Sequence, residues 1–197
     1  EISACLVGSE MCIRDRKYMC MKDEWKEKLQ YHTHFYMDLN WRKQYVGVLE
    51  MEYDGIRFYF IDNEYYFNGY APYGDIYPDI EKFAFFSKAV LSALPLIDFR
   101  PDIIHCHDWQ TGLVPIYLDN FRYGNEFYRG IKTVMTIHNL KFQGTWDTKR
   151  VRDITGLPQY YFAPDKLEAY KDANFLKGGI VYADRITTVS YTHLTLP

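Results

Sequence analysis

Hydrophobic and polar positions along this chain fall into blocks of changing period, and the clearest change lies between residues 100 and 144. There RPDIIHCHDWQTGLVPIYL runs into a short polar linker and then into IKTVMTIHNLKFQG. Two apolar, β-branched runs, Ile103–Ile104 and Val134–Ile137, each end on a polar cluster: His105-Cys106-His107-Asp108 and His138-Asn139. Between them Trp109, Leu113, Ile116 and Tyr117 follow at steps of 4, 3 and 1, one face of an amphipathic helix. Strand, helix, strand is the βαβ unit of a parallel sheet. Ligands of open parallel sheets sit beyond the carboxyl ends of the strands, so the pattern directs attention to Asp108 and His138.

The remaining blocks fit the same α/β class. Tyr45–Met51 and Ile56–Ile61 are β-rich runs, and the Asp54-Gly55 pair between them signals a hairpin. Asp62–Ile80 is rich in Tyr, Asn, Gly and Pro and reads as a loop. Asp79 then suits the cap of a helix reaching Leu94, with Phe83, Phe86, Val90 and Leu94 on its apolar face. Pro95 and Pro101 close that helix before the next strand. Lys17–Leu29 is charged and suits a solvated helix. Pro164 and Asp165 open a helical stretch through Asn174, Leu176, Lys177 and Gly178-Gly179, and Arg185–Val189 reads as a final strand.

The two ends have no periodicity continuous with their neighbours. EISACLVGSEMCIRDR (1–16) and SYTHLTLP (190–197) resemble translated adapter or linker sequence and are set aside from fold reasoning, which leaves 17–189 as the domain. A signal peptide does not fit 1–16, because Glu1 and Glu10 replace a basic start and no long apolar stretch follows. With the ends set aside, Cys20 and Cys106 remain, too few for a disulfide framework, so a reducing cytoplasm is expected.

Composition narrows the function classes. A net charge of −3 argues against nucleic acid as a partner, and no apolar run approaches membrane-spanning length. Aromatics make up 18% of the chain, with 19 Tyr; such rings stack on sugars, but most are expected in the core. There is no G-x-G-x-x-G, Walker A, G-x-S-x-G or H-E-x-x-H motif. His105-x-His107-Asp108 invites a metal, but no distant Cys/His pair completes a shell, and no metal is expected.

Four motifs in collinear order carry a specific resemblance: RPDIIHCHDWQTGLVPIYL, KTVMTIHNLKFQG, APYGDI followed by EKFAFFSKAVLSALP, and DANFLKGGIVYADRITTVS. From about Lys17 to Ser190 the chain resembles the N-terminal catalytic domain of bacterial glycogen/starch synthases, glycosyltransferase family 5. The resemblance implies a Rossmann-like parallel sheet with flanking helices, the N-terminal half of a GT-B enzyme. It implies retaining transfer of glucose from ADP-glucose to the non-reducing end of an α-1,4-glucan, with no metal ion or other cofactor. Asp108 matches the family's active-site Asp, and His138 the His that contacts the donor glucose. Asn139 and Gln143 sit beside it as substrate-binding candidates, Tyr73 aligns with an active-site Tyr, and Trp109 is a candidate for shaping the sugar pocket. In an oxocarbenium-like transition state, Asp108 can hold acceptor hydroxyls or stabilise charge, while His138 bonds a glucose hydroxyl.

Each residue also has a plainer reading. Asp108 suits capping a helix at Trp109, His138 a structural histidine, Trp109 a core ring, and Lys177 a solvated cation. His105 and Cys106 read as buried strand residues. The family's first strand, with its Lys-x-Gly-Gly-Leu loop, has no counterpart in 1–16, and Gly178-Gly179 lies on the wrong segment to replace it. The sheet is therefore expected to lack its first strand. The C-terminal half, which supplies cationic partners for the leaving ADP, is expected to be absent too, leaving an inactive fragment. Two other readings stand: a related GT-B enzyme with another nucleotide sugar, or a non-catalytic glucan-binding remnant.

Overall fold

The computed structural model describes residues 21–68 and 74–189, together with the backbone of Ala4–Leu6 and Cys12–Arg16. In chain order the strands are β1 (Ala4–Leu6), β2 (Cys12–Arg16), β3 (Gln30–Leu39), β4 (Arg42–Tyr53), β5 (Ile56–Asp62), β6 (Ile103–His107) and β7 (Lys132–Ile137), followed by β8 (Thr145–Asp147), β9 (Glu168–Ala169), β10 (Asp172–Asn174) and β11 (Arg185–Thr188). The α-helices among the described residues are α1 (Asp23–Lys26), α2 (Glu64–Phe67), α3 (Ile76–Ala93), α4 (Val114–Arg122), α5 (Thr148–Thr155) and α6 (Phe175–Tyr182).

One large sheet runs in the order β11-β7-β6-β1-β2-β5-β4-β3, and a small one in the order β8-β10-β9. The expected βαβ unit forms its parallel end: β6 pairs with β7, and β7 with β11, all parallel. The far end is antiparallel, with β4 between β3 and β5. Asp54 and Gly55, at φ 53° and 74°, make the tight reversal that Asp-Gly favours.

Within 1–16 the described backbone of Ala4–Leu6 and Cys12–Arg16 departs from the expectation that the sheet lacks a strand there. The backbone of β1 pairs antiparallel with β6, and β2 pairs parallel with β5, so two strands fill the middle of the sheet. The physical reason is that strand edges facing each other across a gap hold rows of unpaired backbone groups, which any extended segment satisfies.

Other boundaries moved as well. Of Lys17–Leu29 the described part holds one helical turn, Asp23–Lys26. Gln30–Leu39 had no assignment and is a ten-residue edge strand; its Tyr and His residues blur the period that Met37 and Leu39 set by pointing inward. The long helix starts before Asp79, at Ile76, and Asp79 works from inside its first turn, where Oδ2 accepts the Gly74 N–H at 2.9 Å. The stretch after Pro164 is no helix: residues 168–174 form the β9–β10 hairpin, and α6 begins only at Phe175. Asn174 decides that start, because its Oδ1 accepts the Lys177 N–H at 2.9 Å.

The core gathers around α3. Its expected stripe, Phe83, Phe86 and Val90, is buried, but so are Ala84, Phe85 and Leu91, because the helix touches strands β3 and β5 and helices α4 and α5. A helix apolar all round is a buried helix. On α6, a Cβ at Gly179 would lie 2.4 Å from Met135 Cε and 3.0 Å from Gly112 Cα. Gly179 therefore serves close packing against the turn after Asp108, while Gly178 lets α6 press on Ile116 of α4 and on Leu167.

Candidate functional site

Strand β6 ends at His107, and the chain turns at once into a 3-10 turn, Trp109–Thr111, before α4. Asp108 makes that corner at φ 55°, ψ −173°, a conformation found almost only in glycine, which costs about 1–3 kcal/mol elsewhere. Three contacts hold it there. Its N–H donates to Thr136 O at 3.0 Å, and its Oδ1 accepts the N–H groups of His138 (2.7 Å) and Asn139 (3.3 Å). The side chain makes no cap bond to the following turn, so the capping role is not the one Asp108 plays. The carboxyl group, 8% exposed, instead stitches the end of β6 to the loop leaving β7.

A row of imidazoles stands beside it. His107 Nδ1 and His138 Nε2 share a hydrogen bond at 2.9 Å, and the His105 and His107 rings lie 4.2 Å apart. His105 Nε2 bonds Thr136 Oγ1 at 2.5 Å, and that hydroxyl bonds Thr187 Oγ1 of β11. Burial pushes His107 down to about 4, helped by His105 and His138; burial and His138 lower His105 as well. The row is thus a hydrogen-bonded scaffold, and the exposed His138 spends its Nε2 on it, leaving Nδ1 without a hydrogen bond among the described residues. Among the described residues no group of three or more His, Cys, Asp and Glu side chains is arranged to hold a metal ion.

Asp108, Trp109 and Asn139 line a cleft of about 510 Å³, joined by Gln110, Asp79 and Phe142. Trp109 is both core and wall: it is 6% exposed and meets Phe83 edge-on at 4.9 Å. Gly144, at φ 62°, makes room for that ring, since a Cβ there would lie 2.1 Å from Trp109 Cε3. Asp79 is fully engaged, its Oδ1 ion-paired with Lys82 at 2.5 Å and its Oδ2 on Gly74.

The expected site residues divide. Asp108, His138 and Asn139 come together at one lip, Trp109 joins them through the cleft wall, and the His138 ring turns toward His107. Gln143 does not join the cleft: its Oε1 accepts Asn174 Nδ2 at 2.6 Å, and it lines a second hollow of about 700 Å³ with Asn174 and Lys177. Lys177 is no free cation there, because its Nζ bonds the Pro164 and Glu168 carbonyls. Tyr73 lies outside the described residues. Sequence reasoning did not single out as site residues Gln110 and Asp79, which line the candidate cleft, or His107, which backs His138; the i, i+2 spacing of His105 and His107 was the only signal for any of them.

Fold and site together define a Rossmann-like α/β domain whose ligand cleft opens at the carboxyl ends of parallel strands. A family model described as the starch synthase catalytic domain matches residues 8–195. A glycogen synthase of Lachnoclostridium phytofermentans is 69% identical over 183 residues, covering 91% of this chain and 38% of that protein. One from Lachnospira eligens is 68% identical over 177 residues, 90% of this chain and 37% of that protein. Among solved structures, the catalytic domain of starch synthase IV from Arabidopsis thaliana, bound to ADP and acarbose, superposes with a TM-score of 0.74 at 26% identity, over 90% of this chain and 37% of that one. This chain belongs to the starch synthase catalytic domain family, its α/β domain superposes on part of a GT-B neighbour, and it spans about 38% of the length of the first relative.

Proposed function

We propose that this chain forms part of a retaining glucosyltransferase that moves glucose from ADP-glucose to the non-reducing end of an α-1,4-glucan. The observation that carries this reading is the bond from the His138 N–H to Asp108 Oδ1, which fixes an acid and an imidazole-bearing loop at one cleft lip. Its chemistry suits the reaction. As ADP departs, positive charge grows on the sugar ring; Asp108 stabilises it and holds the incoming hydroxyl, while His138 holds a hydroxyl of the transferred glucose. Fixed groups of this kind are worth about 3–4 kcal/mol each in a closed site. The family membership and the ADP-bound neighbour support the same assignment. No helix among the described residues is long and apolar enough to cross a membrane, consistent with a glucan-building enzyme working in the cytoplasm.

Among the described residues the cleft wall carries no Lys or Arg to neutralise a leaving diphosphate. The chain alone is therefore expected to show no turnover, and the decisive assay uses it within a full-length synthase. There Asp108→Asn and His138→Ala should each lower kcat by about 10²–10³-fold with little change in melting temperature. Full activity in both variants would discard the site.

A further inference from the structure

Within the cleft one polar side chain has no role in anything described so far. Gln110 is 6% exposed, lines the wall beside Asp108 and Trp109, and its Oε1 is buried with no hydrogen-bond partner. Only its backbone is engaged, the carbonyl accepting the Ser87 hydroxyl at 3.5 Å. The oxygens around it are acceptors and cannot fill the gap: Asp108 Oδ1 takes two amides, Asp79 takes the Gly74 N–H and Lys82, and Asn139 Oδ1 accepts the Lys141 N–H at 3.0 Å. A buried carbonyl oxygen without a donor costs about 1–3 kcal/mol, so it marks a place where something else is meant to donate.

The wall says what that donor is. Among the described residues it carries two carboxyl groups, the Trp109 and Phe142 rings, and no cation, which disfavours a phosphate and suits a neutral, hydroxyl-rich ring with one apolar face. We propose that Gln110 is a further binding residue for the acceptor glucan, its amide oxygen taking a hydroxyl of the chain-end glucosyl unit. This rests on the glucosyltransferase reading above and adds a residue and a contact to it. The terminal amide of a glutamine turns on a broad, soft torsion, so the oxygen reaches the cleft once a sugar supplies the donor.

An orphan kept for a ligand leaves a signature opposite to that of a structural residue. Replacing it with an apolar side chain of similar volume should stabilise the free protein and weaken the ligand. The test is Gln110→Met in this chain, with thermal melts and calorimetric titration of maltotetraose, beside Asp108→Asn. The expected result is a melting temperature equal to or above that of the unmodified chain, with affinity about tenfold weaker. Gln110→Asn, which keeps the amide but draws it back by one methylene, guards against a misfolded Met variant and should also bind more weakly. Earlier melting of Gln110→Met would show a structural bond and overturn the proposal. So would unchanged affinity in both Gln110 variants while Asp108→Asn loses it, and the cleft would then survive without Gln110. Maltotetraose affinity indifferent to all three changes, or absent from the unmodified chain, would remove the cleft reading and Gln110 with it.

Discussion

Two aspartates at the two ends of the large sheet adopt nearly the same left-handed φ, 53° at Asp54 and 55° at Asp108. At the antiparallel end Asp54 precedes a glycine, the pair reverses the chain between β4 and β5, and nothing lies within 4 Å of where a Gly55 Cβ would be. At the parallel end Asp108 precedes Trp109, is 8% exposed, and holds the amides of His138 and Asn139. One anomaly is local and lies open to solvent; the other persists because a neighbouring strand, a loop and a packed ring fix it. The lesson is that backbone strain earns functional interest when tertiary contacts, rather than turn chemistry, sustain it.

Glycine substitutions break this comparison most sharply. Gly144→Ala adds both a positive-φ penalty and a clash with Trp109, and should cost about 3–5 kcal/mol in chemical denaturation. Gly55→Ala carries the φ penalty alone, about 1–2 kcal/mol. Equal losses would mean that the Trp109 wall yields freely and the site end is no more tightly fixed than the hairpin.

Asp108 offers a finer test. Asp108→Ala keeps the backbone strain and strands two amides, so a loss of about 2–3 kcal/mol is expected. Asp108→Gly strands the same amides but relieves the strain, and should recover about 1 kcal/mol of that loss. If Gly is as damaging as Ala, the corner is not strained. A smaller effect is expected at Asn174→Ala, where removing the cap of α6 should cost about 1 kcal/mol in the same unfolding assay.

A pH dependence tests the same end of the sheet in another way. Folded His107 sits near 4 and His105 below its ordinary 6.5, both chiefly through burial. The unfolded chain therefore binds more protons in the window between about 4 and 6.5, and stability present above it is lost as pH falls through it. His107→Phe should flatten this acid arm in melts collected across pH; an unchanged acid arm in that variant would show that the buried imidazole row does not set it.

Much of this was readable in the chain itself. The β-branched runs, the steps from Trp109 to Tyr117 and the Asp-Gly turn set β6, α4, β7 and the β4–β5 hairpin, because each is a local period or a local turn preference. The collinear motifs placed Asp108, His138 and Asn139 at one lip. Less legible was every feature that depends on distant residues. Gln30–Leu39 became a strand by pairing with β4, residues 168–174 became a hairpin by meeting β8, and the backbone of 4–6 and 12–16 entered the middle of the sheet. Gln143 looked equal to Asn139 in sequence, yet Asn174, 31 residues away, draws its side chain into another hollow.

Sequence alone thus determined which strands end in polar clusters, since side-chain period and turn propensity act over a few neighbouring residues. Only the tertiary structure decided what those clusters are attached to: Asp108 to the amides of another strand's loop and His138 to His107, while among the described residues Gln110 Oε1 has no partner. Hydrogen-bond partners across strands are chosen by packing, and packing is a property of the whole fold.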